Sequence, residues 1–332
     1  MYLTRLFFVL LFFPVMASAN VYTRVVDVGA GLCTVTQLPG NKFIVYDAGH
    51  WTGFKCLKAI KKVVKDNDIF MLVLSHSDAD HIGNAKAILD DFNVENIIRT
   101  GYPRPKSKTW VKVDVAISNE VRNGAHVINL QNDKLQPGLN YQFGEASVKF
   151  LYGQGKWNGA HLDSAEARNV ISITMRIEYK GQSILFPGDI VGRDVNRNQG
   201  CLYAEKILVD QSSILPITSN VLIAPHHGAN NASSACFISK VQPDYVVFSA
   251  GHKHKHPRSK TVKRYIDYGV PVQNIFRTDI GDDEGNKKEW SGGRVANCKD
   301  RSGDDDIEIF LPSNGKAYVR YYDDGGFESC NS

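Results

Sequence analysis

The chain has 332 residues, of which 43% are hydrophobic and 22% are charged. This composition is typical of a protein that buries a core, and it excludes a disordered or collagen-like polymer. The formal charge is only +4 at pH 7, so overall charge does not direct the chain to nucleic acid.

The first 19 residues differ in character from the rest of the chain. Arg5 is their only charged residue, Leu6–Val15 is apolar, and Ala17-Ser18-Ala19 has the small residues of a signal-peptide cleavage site. The apolar run is well short of the about 20 residues that a membrane-spanning helix needs. We therefore predict a signal peptide over 1–19 and an exported mature chain, periplasmic or secreted, without a membrane-spanning segment.

The predicted elements of the N-terminal third alternate short extended runs with helical stretches, which favours an α/β arrangement. Three strands come first, followed by an amphipathic helix, a buried strand, a polar loop and a second helix. They are Val21–Val28, Cys33–Leu38 and Lys42–Tyr46, then Phe54–Lys65, Ile69–Leu74, Ser75–Gly83 and Asn84–Phe92. This order commonly places a site at the carboxyl end of the buried strand.

The rest of the chain predicts a second sheet, further helices and a terminal hairpin. The helices are Thr109–Val121 and Thr261–Tyr268, and the strands are Ala146–Leu151, Val170–Tyr179, Ser183–Phe186, Asn220–Ala224, Tyr245–Ser249 and Val272–Phe276. The hairpin joins Ile307–Leu311 to Lys316–Tyr322 through Ser313-Asn314-Gly315. Because no repeat or low-complexity linker interrupts them, we predict one domain over 20–290 and a C-terminal extension over 291–332.

Six cysteines lie in the predicted mature chain: Cys33, Cys56, Cys201, Cys236, Cys298 and Cys330. An even number in an exported chain favours disulfides, and the spacing is unlike that of a zinc ribbon or a CxxC redox site. The one pair that we favour is Cys298 with Cys330, which would staple the C-terminal extension. For several of the six, a buried free thiol is the alternative.

The strongest chemical signal is His76-Ser77-Asp78-Ala79-Asp80-His81, directly after the predicted strand Ile69–Leu74. Imidazoles and carboxylates bind borderline and hard divalent cations, and a tight loop after a rigid strand can aim alternate side chains at two neighbouring ions. The alternative is a solvated polar turn whose aspartates cap a helix, as Asp80 could do.

Other candidate ligands also follow predicted strands. Asp189 comes after Ser183–Phe186 and a Pro-Gly turn, and His226 and His227 come after Asn220–Ala224. Taken singly, Asp189 would be an ordinary turn residue and the paired histidines a surface feature. Together with the cluster after Ile69–Leu74, they favour a metal site built from several strand ends.

These blocks resemble the motifs of the metallo-β-lactamase superfamily, in the variant whose first motif has aspartate in place of the middle histidine. That variant is similar to the external hydrolase domain of ComEC-type competence DNA-uptake channels. The matching blocks are Val26-Asp27-Val28-Gly29, Leu38–Gly49, His76–His81, Phe186-Pro187-Gly188-Asp189, Pro225-His226-His227-Gly228, Gly251 with His256-Pro257, and Arg277-Thr278-Asp279. One departure is Val28-Gly29-Ala30-Gly31-Leu32, where such domains usually have VGQGD.

The resemblance implies an αββα four-layer sandwich that holds two divalent cations. His76, Asp78 and Asp189 would bind one ion, and Asp80, His81, Asp189 and His227 or His226 the other, with His227 favoured as the ligand. Zinc is the expected metal, and the three aspartates leave manganese open. A hydroxide that bridges the two ions would be the nucleophile.

Asn169 and the loop Gly251–Lys260 are expected beside this centre. Asn169 lies 20 residues before Asp189, where many members of the superfamily have a histidine, and it would contact substrate or metal; His161 competes for that place. In the loop, His256 could donate a proton to a leaving group. Its basic residues, which could bind a phosphate, are Lys253, Lys255, Arg258 and Lys260. A solvated basic loop is the alternative.

These features predict an exported binuclear metallohydrolase that acts on a phosphodiester, in DNA or in a phosphorylated envelope component. The candidate catalytic residues are Asp80, His256 and Asn169. One alternative is a lactonase or β-lactamase, because one fold can host many reactions. The other is a non-catalytic nucleic-acid-binding module.

Overall fold

The computed structural model describes residues 20–160, 162–251, 254–278 and 306–322. The predicted signal peptide, the predicted pair Cys298 with Cys330 and the predicted boundary at 290 lie outside these residues, as do His161 and Lys253. No helix in the described ranges is both long and apolar enough to cross a membrane.

The described residues form fifteen strands and eight α-helices. The strands are β1 (Val21–Val25), β2 (Cys33–Leu38), β3 (Lys42–Ala48), β4 (Ile69–Leu74), β5 (Val94–Arg99), β6 (His126–Asn129), β7 (Asn140–Phe143), β8 (Ala146–Tyr152), β9 (Thr174–Tyr179), β10 (Gln182–Phe186), β11 (Val221–Ile223), β12 (Tyr245–Phe248), β13 (Ile275–Arg277), β14 (Ile307–Leu311) and β15 (Tyr318–Tyr321). The helices are α1 (Lys55–Val64), α2 (Ala79–Ile82), α3 (Ala85–Asp91), α4 (Lys108–Arg122), α5 (Ser164–Asn169), α6 (Tyr203–Asp210), α7 (Ala235–Val241) and α8 (Ser259–Asp267).

The strands form two mixed sheets. The first has the order β15-β14-β1-β2-β3-β4-β5-β6, and the second has the order β13-β12-β11-β10-β9-β8-β7. In the first sheet β3 to β6 run parallel, and in the second β10 to β13 run parallel. The carboxyl ends of the parallel strands are where open α/β sheets place their sites.

Three apolar cores separate four layers of secondary structure. The first core lies between the two sheets, where Tyr46 of β3 packs against Phe186 of β10 with ring centroids 5.4 Å apart. The second core packs α1 to α4 on the outer face of the first sheet, through side chains such as Ile60. The third packs α6 to α8 on the outer face of the second sheet, through side chains such as Phe237. The predicted αββα sandwich is therefore confirmed.

Several predicted boundaries differ from the structure. The apolar run Val170–Tyr179 becomes a strand only at Thr174, because α5 ends at Asn169 and a buried turn follows. The predicted polar loop Ser75–Gly83 contains the short helix α2. The predicted terminal hairpin is present, but β14 pairs with β1 and buries Ile309 in the core between the sheets. The hairpin is thus an integral edge of the first sheet.

Two disulfides tie helices to the elements beside them. Cys33–Cys56 joins β2 to α1, and Cys201–Cys236 joins the segment before α6 to α7. The alternative of free thiols is therefore wrong for these four cysteines. Disulfides of this kind fit an oxidising compartment outside the cytoplasm.

Candidate metal centre

The loop of residues 76–81, named the metal-binding loop after its predicted role, begins where the buried strand β4 ends. His76 is 1% exposed and His81 is fully buried, so the sheet fixes the positions of both imidazoles. Asp80 and His81 lie in α2, and Asp78 is the extended residue that precedes this helix. Alternate residues of the loop therefore face different directions.

The second sheet brings three more side chains to the same place. Asp189 follows β10 after a turn at Gly188, which has φ +61°. A Cβ at Gly188 would lie 2.9 Å from the Ser75 Cβ and from the Tyr46 hydroxyl. This close approach favours glycine there, and it brings Asp189 against the end of β4. His226 and His227 follow β11 in a short 3₁₀ turn.

Four imidazoles of the centre converge on one carboxylate oxygen, Asp189 Oδ2. His81 Nε2 lies 3.3 Å from it and His227 Nε2 3.4 Å, while His76 Nε2 and His226 Nε2 each lie 3.9 Å away. The Nε2 atoms of His81 and His227 are 3.0 Å apart. These positions define two groups whose ligand atoms lie within 4.8 Å of one another: His76, His81 and Asp189, and Asp80, His81 and His227.

Three buried polar atoms in and beside these groups lack a hydrogen-bond partner: His76 Nε2, Asn169 Oδ1 and Asp189 Oδ1. Leaving a buried acceptor unsatisfied costs about 1–3 kcal/mol, and coordination to a cation would remove that cost. Imidazole nitrogens with carboxylate and amide oxygens form a donor set that suits zinc or manganese. The residues present therefore fit the divalent cations that the sequence predicts.

The protonation states of Asp189 and His76 suit a cation, whereas a cation would have to displace a proton from His81 and His227: burial lowers the pKa of these two imidazoles, but Asp189 outweighs burial and raises it. Burial alone would raise the pKa of Asp189, but the His227 and His81 imidazoles hold it well below its ordinary value. Burial lowers the pKa of His76, with a further contribution from His81. An ionised carboxylate and a neutral imidazole are the forms that coordinate metals.

Asp47, near the end of β3, contacts one of the histidines of the centre. Its Oδ2 lies 2.7 Å from His81 Nδ1, and its two oxygens accept hydrogen bonds from the backbone N–H and the hydroxyl of Ser75, each at 2.7 Å. A ligand histidine is commonly oriented in this way through its second nitrogen. Asp47 was assigned no role from its sequence context, although it lies in the block Leu38–Gly49 directly after an apolar run.

The two consecutive histidines have different surroundings. His227 Nδ1 lies 2.7 Å from the Ser249 carbonyl oxygen, which leaves its Nε2 directed at Asp189. His226 lies outside both ligand groups; its Nε2 is 3.1 Å from the Asn169 amide nitrogen. These contacts support His227 as the ligand. His226 lies beside the centre, where its Nε2 contacts Asn169.

Asp78 has contacts that the sequence did not suggest. Its Oδ1 accepts hydrogen bonds from Arg168 Nε at 2.5 Å and from Arg104 Nη1 at 2.8 Å. Burial raises its pKa, but His76 and the two arginines outweigh this effect and lower it. Asp78 lies outside both ligand groups, so its assignment as a ligand stays a prediction.

His256 lies beside the two histidines of the 3₁₀ turn. Its ring centroid is 5.9 Å from that of His226 and 6.4 Å from that of His227. Burial, followed by the charges of His227 and His226, lowers the pKa of His256 to about 2. The ring is therefore neutral near pH 7, and its predicted role as a proton donor would need substrate to raise that pKa. Lys255, Arg258 and Lys260 are exposed.

The segment Val28–Leu32, which departs from the usual VGQGD, packs directly on the metal-binding loop. The Leu32 N–H donates to the Asp80 carbonyl at 3.2 Å, and a Cβ at Gly31 would lie 2.5 Å from the same oxygen. Gly31 thus permits the close approach of the two segments. Its carbonyl accepts a hydrogen bond from the Ser249 hydroxyl at 2.7 Å.

Three curated bacterial proteins are similar to this chain, among them the following two. It is 25% identical to Recombination protein 2 of Haemophilus influenzae over 281 residues, which cover 80% of this chain and 29% of that protein. It is 23% identical to Competence protein ComA of Neisseria gonorrhoeae over 268 residues, which cover 76% of this chain and 30% of that protein. The chain thus spans less than a third of the length of these relatives.

Among solved structures, CmlA, a diiron beta-hydroxylase from Streptomyces venezuelae, matches with a TM-score of 0.46 and 13% identity. The match covers 79% of this chain and 53% of that one, and it is too weak to carry an argument. The family model described as the metallo-beta-lactamase superfamily matches residues 26–252, and the curated relatives confirm the resemblance to competence proteins. The chain belongs to the metallo-β-lactamase superfamily.

Proposed function

We propose that the chain is an exported hydrolase that holds two divalent cations and cleaves a phosphodiester. The observation that carries this proposal is the convergence of His76, His81 and His227 on Asp189, with three buried acceptor atoms left without partners. Zinc is the favoured metal and manganese the second choice. Divalent cations held there would lower the pKa of bound water and neutralise charge that develops on the substrate.

The ligand assignments start from the two groups of close atoms, which share His81. His76 and Asp189 would hold one cation, and Asp80, His81 and His227 would hold the other; the unpartnered amide oxygen of Asn169 is a further candidate ligand. Asp189 belongs to the first group and lies 3.4 Å from His227 of the second. Asp47 fixes the orientation of His81. Asp78 serves as the anchor of two arginines in this proposal.

An anionic substrate is favoured by the guanidinium groups beside the centre. Arg104 and Arg168 converge on the single carboxylate of Asp78, so the three side chains carry a net positive charge. Arg104 is 29% exposed and Asp78 is 21% exposed, which leaves the pair accessible to a phosphoryl oxygen. Arginine presents several N–H donors in a geometry that matches phosphate oxygens.

Two further observations support the proposal. Lys255, Arg258 and Lys260 are exposed and lie within four residues of His256 in the sequence. The relatives are named for recombination and competence, processes that involve DNA, which favours a polynucleotide among phosphodiesters. The disulfides Cys33–Cys56 and Cys201–Cys236 support export.

Hydrolysis assays with the zinc-loaded and manganese-loaded chain test the proposal. We expect turnover of bis(p-nitrophenyl) phosphate, its loss in Asp80→Ala, and its retention in Asp66→Asn, a matched change of an exposed carboxylate just after the C-terminal end of α1. Turnover of nitrocefin or a homoserine lactone without phosphodiester cleavage would instead indicate a lactamase or lactonase. Binding of DNA in chelator with no cut product under any metal would indicate a binding module.

A further inference from the structure

A cleft of about 720 Å³ lies beside the metal-binding loop, on the helical side of the first sheet. Its walls come from α3, the first turns of α4 and the segment between β3 and α1. The side chains that matter here are Trp51, Phe54, Lys86, Asp90, Lys108 and Lys112. This volume is in the range of about 300–1,000 Å³ that is usual for pockets that bind organic groups.

The aromatic wall of the cleft is unusually open to solvent. Trp51 is 49% exposed and Phe54 is 52% exposed, so both rings offer apolar area to a ligand. The His50 imidazole stacks on the Trp51 ring at a centroid distance of 3.7 Å. The indole therefore already accepts a flat heteroaromatic ring on one face, which is how aromatic side chains accept nucleobases.

The opposite wall is basic. Lys108 and Lys112 lie one turn apart at the start of α4 and both line the cleft. Lys86 on α3 pairs with Asp90 on the same helix, so the four charged side chains carry a formal charge of +2. Positive charge next to exposed aromatic rings is the pattern of surfaces that bind single strands, where phosphates and base faces are both accessible.

The cleft is joined rigidly to the metal-binding loop. The Gly83 N–H donates to the Gly49 carbonyl at 2.7 Å, and the Asn84 amide donates to the His50 carbonyl. A Cβ at Gly83 would lie 2.3 Å from the backbone nitrogen of Trp51. The backbone at Trp51 therefore packs directly on the end of α2. The same helix carries Asp80 and His81, and Ala79 at its start lines the cleft.

We propose that this cleft binds a single-stranded polynucleotide next to the metal centre. Bases stack on Trp51 and Phe54, and phosphates contact Lys108 and Lys112. The inference rests on the proposed function in one respect, namely that the strand continues to the metal centre as substrate. Binding itself depends on the cleft alone and does not need a cation.

Fluorescence anisotropy of a 5′-labelled dT12 oligonucleotide, measured with the full chain in chelator at several salt concentrations, tests the proposal. We expect Trp51→Ala to weaken binding at least about fivefold, since stacking contributes about 1–3 kcal/mol per base. Trp51→Phe retains a stacking ring and should restore most of the affinity. The double change Lys108→Ala and Lys112→Ala should reduce the slope of log K against log salt by about 1.4.

Matched changes elsewhere provide the controls. Tyr318→Ala removes an aromatic ring that is 43% exposed on β15, and Lys240→Ala with Lys316→Ala removes two distant lysines; neither should change dT12 binding. Equal weakening by these controls, or unchanged binding in Trp51→Ala with wild-type thermal unfolding, would overturn the inference. Binding of anionic lipid vesicles through Trp51 without binding of dT12 would also overturn it.

The outcome is separable from that of the proposed function. If the cleft variants lose dT12 binding and the metal-loaded wild type does not hydrolyse bis(p-nitrophenyl) phosphate, the proposed binding cleft stands and the proposed hydrolase activity is refuted. If the wild type hydrolyses this substrate and the cleft variants bind dT12 as tightly as wild type, the proposed hydrolase activity stands and the proposed binding cleft is refuted.

Discussion

His81 Nδ1 lies 2.7 Å from Asp47 Oδ2, and both side chains are fully buried. The carboxylate fixes the ring so that Nε2 points at Asp189, 3.3 Å away. This contact joins the end of β3 to the metal-binding loop after β4, two strands that are parallel neighbours in the first sheet. The position of His81 in the centre therefore depends on a residue that lies outside both ligand groups.

Replacing Asp47 tests this positioning role. Asp47→Asn keeps the shape of the side chain but removes the charge, and such changes typically weaken metal binding by about 10–100-fold. Competition with a coloured chelator measures the affinity, and Asp66→Asn is the matched control. Affinity for zinc within twofold of wild type, in a variant that keeps its thermal unfolding midpoint, would refute the role.

Asp78 and Asp80 should differ sharply although they are two residues apart. Asp78 is held by Arg104 and Arg168, whereas Asp80 belongs to a group of close ligand atoms. We expect Asp78→Asn to bind two cations per chain and Asp80→Asn to lose one, as determined by elemental analysis of dialysed protein. Loss of one cation in Asp78→Asn would instead restore Asp78 as a ligand, as the sequence suggested.

The buried carboxyl group of Glu205 should make the stability of the folded chain depend on pH, independently of the metal centre. Burial raises its pKa from 4.5 to about 7, although hydrogen bonds from Ser234 and Ser233 oppose the shift. Between these values the folded chain binds a proton that the unfolded chain has released. The free energy of unfolding should therefore fall as pH rises from about 4.5 to about 7, by up to about 3 kcal/mol from this group.

Urea denaturation at pH 5 and at pH 8 measures this effect, with Glu205→Gln as the comparison because it lacks the titrating proton. The Glu205 carboxyl accepts hydrogen bonds from the backbone N–H groups of Ser233 and Ser234. The variant should be less stable than wild type at pH 5, because its amide NH₂ group would face one of these two donors. Its loss of stability between the two pH values should be smaller than that of wild type. Equal losses in the two proteins would refute the raised pKa.

Much of the centre was predictable because its ligands follow continuous apolar strands. The strand Ile69–Leu74 has the predicted limits, and His76 and His81 lie where a strand end would place them. The sequence could not reveal that Asp78 meets Arg168, because the two residues are 90 positions apart and their encounter depends on how the two sheets pack. Asp47 was missed for the same reason: nothing local indicates which histidine it will orient.

The fold was predicted best where hydrophobicity is continuous or strictly periodic. The predicted helix Phe54–Lys65 corresponds to α1, whose inner face includes Leu57 and Ile60. By contrast, β5 (Val94–Arg99) mixes charged and apolar residues and was not predicted, although it lies between β4 and β6. The cleft beside Trp51 also escaped prediction, because it depends on a turn packing against Gly83.

Metal titration of the chelator-stripped chain by isothermal calorimetry tests whether the chain holds two divalent cations. We expect saturable binding of two zinc ions per wild-type chain, and weakened binding of both in Asp189→Asn, because this carboxylate belongs to the first ligand group and lies 3.4 Å from His227 of the second. Each bound ion should also raise the free energy of unfolding, by about 4 kcal/mol at a thousand times its dissociation constant. Absence of saturable binding in wild type, or full retention of both ions in Asp189→Asn, would contradict the account.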